Sequence, residues 1–173
     1  MDPAFQRAIN FTLSDRIEGE LSLDPKDRGN WTGGKVGEGE LLGTKYGISA
    51  AAYPHLDIRG LTKSQAIDIY WRDYWMPIRG SELPPRVAGV VFDAAVNHGP
   101  AGAAKQLQRA VGVEDDGIIG PRTLAAARSR EQDEVIANAL QERVFAWMKA
   151  PTWKDHGRGW IRRGFLCAQE YAR

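Results

Sequence analysis

At 173 residues the chain is long enough for one domain with a real core, and its 43% hydrophobic and 26% charged residues are those of an ordinary globular protein. A formal charge of +1 argues against duplex nucleic acid as the main partner, which needs a clustered basic face. Only the local group Arg158, Arg162 and Arg163 offers a modest attraction to an anionic polymer.

The opening MDPAFQRAIN has neither the charged start nor the apolar run of a signal peptide, so synthesis in the cytoplasm is expected. No stretch approaches the ~18–20 apolar residues that span a bilayer. Asp2 and Pro3 suit a helix start, and Phe5, Ile9, Leu13 and Ile17 recur every fourth residue, predicting an amphipathic helix up to Glu18. On that helix Glu18 falls clear of the apolar stripe and lines up with Phe11 and Ala4. A carboxyl partly shielded by an aromatic ring has a raised pKa and keeps its proton more readily.

From Gly19 to Ser49 helical periodicity disappears and glycine is dense. Short runs between glycines predict a small hairpin or ribbon, with disorder of Gly33–Gly43 as the alternative. Thr62 and Gln65 stand at capping-box spacing before a helix whose face is Ile67, Tyr70, Trp71 and Tyr74. PPRVAGVVFDAAVNHGP predicts a buried helix stopped at Gly99-Pro100, followed by a helix in AGAAKQLQRAVG. DDGIIGPRTLAAARS predicts a turn and then a helix with Pro121 at its first position. EQDEVIANALQERVFAWMKAP forms the longest periodic segment, ended by Pro151, and Asp155–Arg173 a last helix weakened early by Gly157 and Gly159. Cys167, the single cysteine, reads as a buried thiol. The fold class is α+β, mainly α, with a small N-terminal β-hairpin, and no linker divides residues 1–173.

Three segments carry possible chemistry. In EGELSLDPKDRGNWT and GTKYGIS, Glu18 could donate a proton to a leaving oxygen, with Asp24 or Asp27 across a tight loop and Thr32 or Thr44 orienting a water. By spacing alone the aspartates read first as solvated turn residues. In FDAAVNHG, Asn97 could offer its amide to a sugar N-acetyl group or serve as a helix cap with His98 exposed. LQRAVGVEDDGIIGPRTL looks structural first. Trp31 and Tyr46 flank the first segment and suit stacking on sugar rings, whereas Trp71, Trp75, Trp147 and Trp160 read as core. His55, His98 and His156 lack the spacing of a zinc site, and neither a P-loop nor a nucleophile elbow is present, so neither metal nor cofactor is expected.

The run Glu18-Gly19, Asp24-Pro25-x-Asp27, Gly29 and Thr44-x-x-Gly47-Ile48-Ser49 resembles the N-acetylmuramidases of glycoside hydrolase family 108, a lysozyme-like group of phage endolysins and bacterial secretion activator proteins. FDAAVNHG resembles that family's second signature, and LQRAVGVEDDGIIGPRTLAAA the peptidoglycan-binding-type segment that follows it. The resemblance implies a lysozyme-like helical fold, with residues 1–100 catalytic and 101–173 a helical peptidoglycan-binding part packed on them. It implies cleavage of the β-1,4 bond between N-acetylmuramic acid and N-acetylglucosamine, with Glu18 as general acid, Asp27 and Thr44 assisting, and Asp24, Trp31, Tyr46 and Asn97 binding substrate. An inverting course is expected. The partner is bacterial peptidoglycan, the chain a monomer, and the route to the wall a holin-type release. A non-catalytic wall-binding module and a lytic transglycosylase are the rival readings. Two departures stand out. Glu20-Leu21 replaces the family's Gly-Tyr, and an insertion of about a dozen residues before Lys45 leaves Thr32 and Thr44 both as candidates for its threonine.

Overall fold

The computed structural model describes residues 2–14 and 20–172, and Glu18 lies outside them. Helix α1 runs from Pro3 to Thr12. Asp2 caps it, its Oδ1 accepting from the amides of Ala4 (2.8 Å) and Phe5 (3.4 Å). The predicted stripe is buried where described, at Phe5, Ile9 and Leu13. After Thr12 the Ser14 hydroxyl and amide both turn back onto the Phe11 carbonyl, and the predicted end of the helix at Glu18 lies outside the described residues.

The chain divides into two compact units, one of Ile9–Tyr70 and one of Met1–Ala8 with Trp71–Arg173. In the first, β1 (Thr44–Lys45) and β2 (Ile48–Ser49) pair antiparallel, Thr44 opposite Ser49 and Lys45 opposite Ile48. The glycine-rich stretch before them is an ordered ribbon. Trp31 bridges Leu41, and the Thr32 and Gly33 amides donate to Glu40 and Glu38. Helix α2 (Lys63–Tyr70) opens with the expected capping box: the Gln65 side chain accepts from the Thr62 amide (2.9 Å), and the Thr62 hydroxyl from the Gln65 amide (3.3 Å). Its predicted face is shifted. Ala66, Ile69, Tyr70 and Trp75 are the buried residues, while Ile67, Trp71 and Tyr74 are half-buried. Beyond Tyr70 a π-helical turn over Trp71–Trp75, closed by the five-residue hydrogen bond from Met76 to Trp71, adds a residue and buries Trp75 in place of Tyr74.

The helical unit is built from α3 (Pro85–Ala110), α4 (Pro121–Arg128), α5 (Gln132–Met148) and α6 (Trp153–Tyr171). The predicted stop at Gly99-Pro100 is a break inside α3, where Gly99 adopts φ 75°. Pro121 takes the first position of α4, as expected. Phe5 meets Trp71, Trp75 and Phe92 at ring separations of 4.9, 5.3 and 5.8 Å, forming an aromatic cluster. Trp75 and Trp147 are buried as predicted, whereas Trp160 is half-buried.

Asp93 on α3 is fully buried between two guanidiniums. Arg143 on α5 pairs with its carboxylate and also donates to its backbone carbonyl at 3.2 Å, and Arg163 on α6 donates through Nε at 3.0 Å. One carboxylate thus ties three helices together. Burial alone would oppose charging Asp93, but Arg143 and Arg163 outweigh it and hold the carboxyl below its usual range. The Arg143 guanidinium also lies 4.7 Å over the Trp147 ring. Cys167 is buried, and burial followed by the charge of Asp93 pushes its thiol far up. His98 is half-buried rather than exposed and stacks on Trp147 at 6.1 Å. Burial, then the charge of Arg143, lowers its pKa to about 4.

Arg143→Met should destabilise the fold in urea titrations, toward the lower end of about 3–5 kcal/mol because Arg163 still faces Asp93. His98 gives a separate pH signature. Folded His98 titrates at about 4 against 6.5 unperturbed, so on acidification the unfolded chain takes up the proton first. The His98 contribution is complete above 6.5 and is lost as pH falls toward about 4, a decline that His98→Gln should flatten in urea midpoints measured across that window.

Candidate active site

Five of the sequence-predicted residues, Asp24, Asp27, Trp31, Thr44 and Tyr46, lie in the Ile9–Tyr70 unit, and Asn97 belongs to the helical unit. Glu18, on which the chemistry was expected to turn, lies outside the described residues.

Asp24 and Asp27 are exposed on one tight loop. The Asp24 Oδ1 accepts from the Lys26 amide at 2.9 Å, and the Asp27 Oδ1 from the Gly29 amide at 2.8 Å. Asp27 thereby caps the 3-10 turn Arg28–Asn30. Both aspartates are therefore turn formers, each with one oxygen held by a local amide, and the pair keeps its acidic edge toward solvent.

Asn30, buried completely, holds this loop against the hairpin. Its side-chain amide donates to the Asp24 carbonyl (3.0 Å) and the Ser22 hydroxyl (3.4 Å), and its own carbonyl accepts from Leu42 (3.1 Å) and Gly43 (3.0 Å). Ser22 and Thr44 exchange backbone hydrogen bonds of 2.8 and 3.0 Å, so the strand leading into the acidic loop pairs directly with β1. Ala51 closes the arrangement from beyond β2 by donating to the Gly29 carbonyl at 3.0 Å. Asp24, Asp27 and Thr44 therefore share one hydrogen-bonded scaffold. The two candidate threonines differ. The Thr32 hydroxyl accepts from the Glu40 amide at 2.9 Å inside the ribbon, whereas no hydrogen bond of the Thr44 hydroxyl occurs among the described residues.

Trp31 is half-buried, its indole N–H donating to the Pro25 carbonyl at 2.9 Å, which braces the acidic loop from its C-terminal side. Tyr46 and Gly47 form the two-residue turn of the hairpin with φ values of 52° and 74°, the pattern of a type I′ turn. Glycine adopts that conformation freely, but a tyrosine pays about 1 kcal/mol for it. The Tyr70 hydroxyl secures the strained residue by donating to the Tyr46 carbonyl at 2.8 Å, and the Lys45 ammonium lies 5.5 Å from its ring. Strain kept in place by a dedicated partner marks a side chain whose position matters. Asn97 is exposed and its Oδ1 accepts from the Trp147 indole at 2.7 Å, leaving the amide N–H groups for other partners. It caps a tryptophan rather than a helix end.

Sequence reading passed over Asn30 and Tyr70. An asparagine in GNWT looks like any loop residue until its burial is known, and the Tyr70 hydroxyl acts across 24 residues of chain. A cavity of about 330 Å³ in the helical unit, lined by Asp2, Pro3, Arg7, Ser81, Leu83 and Pro85, contains none of the predicted site residues. Among the described residues no group of three or more side chains could hold a metal ion, and no helix is long and apolar enough to cross a membrane.

Comparison with known proteins adds three findings. The family described as Glycosyl hydrolase 108 matches residues 11–99, and the family described as Predicted Peptidoglycan domain matches residues 102–164. A solved structure entitled Structure of Brucella abortus SagA is similar over 99% of this chain and 96% of its own, at 32% identity and a TM-score of 0.83. No curated protein matches the chain.

Asn30→Ala should cost about 1–3 kcal/mol, since it strips the Asp24 carbonyl of its donor and leaves a gap beneath the loop. Chemical denaturation measures the loss, and amide exchange should show it concentrated at Ser22, Leu42 and Gly43.

Proposed function

The chain belongs to the glycosyl hydrolase 108 family and is a peptidoglycan hydrolase, and from that premise we propose that it is an N-acetylmuramidase with Glu18 as its general acid. We assign catalysis to residues 1–100 and wall binding to 101–173, a division that follows the two matched spans, 11–99 and 102–164. The observation that carries the reading is the scaffold of Asn30 and Ser22–Thr44, which holds the acidic loop and β1 together inside the span matched to the hydrolase family.

In the proposed reaction Glu18 gives its proton to the glycosidic oxygen as the bond from the N-acetylmuramic acid anomeric carbon to that oxygen breaks, and the bonding electrons leave with the oxygen. A water attacks the anomeric carbon from the opposite face. Asp27 accepts the proton that the water loses, and Thr44, whose hydroxyl has no hydrogen bond among the described residues, orients the water. This is a single displacement with inversion. Asp24 shapes the acidic loop and contacts substrate, Trp31 and Tyr46 stack on sugar rings, and Asn97 offers its amide N–H to an N-acetyl carbonyl. An exit through a holin-type lesion and an endolysin role accord with the resemblance of the motifs to phage lysis enzymes.

Glu18→Gln keeps the shape of the side chain but has no proton to give. It should fold with unchanged circular dichroism and lose about 10²–10⁴-fold in clearing of purified sacculi, the usual worth of a general acid. Release of reducing ends at the wild-type rate would remove Glu18 from the mechanism. Mass spectrometry of the wild-type products names the reaction: a product one water lighter identifies a transglycosylase, and binding without any product identifies a wall-binding module.

A further inference from the structure

The helical unit contains a row of aromatic rings that the proposed reaction does not use. On α6 the pattern Trp-x-x-x-Gly occurs twice, seven residues apart, as Trp153–Gly157 and Trp160–Gly164. Seven residues are two helical turns, so the two tryptophans share a face. Trp153 and Trp160 stand 6.3 Å apart at 40°, and His156 lies 5.8 Å from Trp160. Trp160 is 6.3 Å from Trp147 on α5 at 24°, and Trp147 is 6.1 Å from His98 on α3 at 29°. The row thus crosses α6, α5 and α3. Trp147 is its buried keystone, while Trp153, Trp160 and His98 are half-buried and His156 and Asn97 are exposed. The glycines permit it. A Cβ at Gly157 would sit 2.9 Å from the Trp153 ring, and one at Gly164 would sit 3.3 Å from the Trp147 ring.

A second feature of α6 is charge. Lys154, Arg158 and Arg162 follow one another every fourth residue, are exposed, and make no ion pair among the described residues. Arg163, which the sequence groups with Arg158 and Arg162, instead turns inward to Asp93. The helix therefore presents aromatic faces with polar tips on one side and an unneutralised cationic row on another. We propose that the Trp153–Trp160 row is a saccharide-binding ledge, with peptidoglycan as its occupant. Sugar rings of the glycan strand stack on the partly exposed indoles of Trp153 and Trp160, His156 meets their hydroxyl and amide groups, and the carboxylates of the peptide stems are drawn to Lys154, Arg158 and Arg162. Charge complementarity selects this occupant over a neutral polysaccharide. The inference rests on the reading of the chain as a peptidoglycan hydrolase and adds to it a second holding site, on the segment that does no chemistry.

The test uses the full chain carrying Glu18→Gln, so that sacculi are bound and not consumed. Trp153→Ala and Trp160→Ala, each checked for an unchanged thermal midpoint, should weaken co-sedimentation with purified sacculi roughly tenfold apiece. Trp153→Phe and Trp160→Phe should restore most of it. If an alanine variant lowers the midpoint, the phenylalanine variant at that position replaces it, read by indole fluorescence during titration with soluble muropeptides, where the signal change should shrink. Replacing Lys154, Arg158 and Arg162 together with glutamine should flatten the salt dependence of binding. Full binding by well-folded Trp153→Ala and Trp160→Ala overturns the ledge alone, while failure of the Glu18→Gln parent to sediment overturns the peptidoglycan reading beneath it. Phe165, 73% exposed, shares the cationic face, so phosphatidylglycerol vesicles form the last arm. Loss of vesicle capture by the same variants, with sacculus binding intact, reassigns the face to a membrane and overturns the proposal.

Discussion

A single buried amide organises the loops on which the proposed chemistry depends. Asn30 has a side chain with no charge to titrate and a backbone carbonyl that accepts twice, and it uses both to join segments that no regular element would bring together. The acidic loop and the lead-in strand at Ser22 have little buried apolar surface of their own. Leu21 and Leu23 are exposed, and the hairpin is two residues long on each side. Ile48 anchors the hairpin by burial, but no buried apolar side chain sets the acidic loop against it. Directional hydrogen bonds do, and a buried polar group that satisfies them is worth more to the position of a loop than to the total stability of the chain.

The helical unit solves a different problem with the opposite chemistry. Its helices have ample apolar surface, and apolar surface alone tolerates many packings. Asp93 narrows that freedom, because a packing of α3, α5 and α6 that drew the carboxylate away from its two guanidiniums would leave a buried charge uncompensated. The unit carries an excess positive charge in its interior as a result. The Trp147 ring spreads part of that charge, and His98 answers by staying neutral. The same ring that stabilises Arg143 links His98 to Trp160, so the fold's internal electrostatics and the proposed saccharide ledge meet at one residue.

Much of this was legible from residue pattern. The cap at Asp2, the capping box at Thr62 and Gln65, the break at Gly99-Pro100 and the start of α4 at Pro121 are local events, decided by a few neighbouring residues, and each stands where the sequence put it. After Tyr70 the predicted face departs from the observed one, because a π turn adds a residue without any proline or glycine to announce it. Within the candidate site, the acidic loop and the hairpin could be named from motif order. The reasons they hold together could not, since Asn30 and the Tyr70 hydroxyl act through contacts distant in sequence. The pairing of Asp93 with Arg143 spans fifty residues and was equally silent.

Cys167, sealed beneath the three-helix junction, has a consequence of its own. It is the only sulfhydryl in the 173 residues, it has no second cysteine to join, and its surroundings hold it in the unreactive protonated form. The fold thus owes nothing to oxidation or reduction. A change of redox surroundings would therefore leave the helical junction as it is, with no bridge to form and none to scramble.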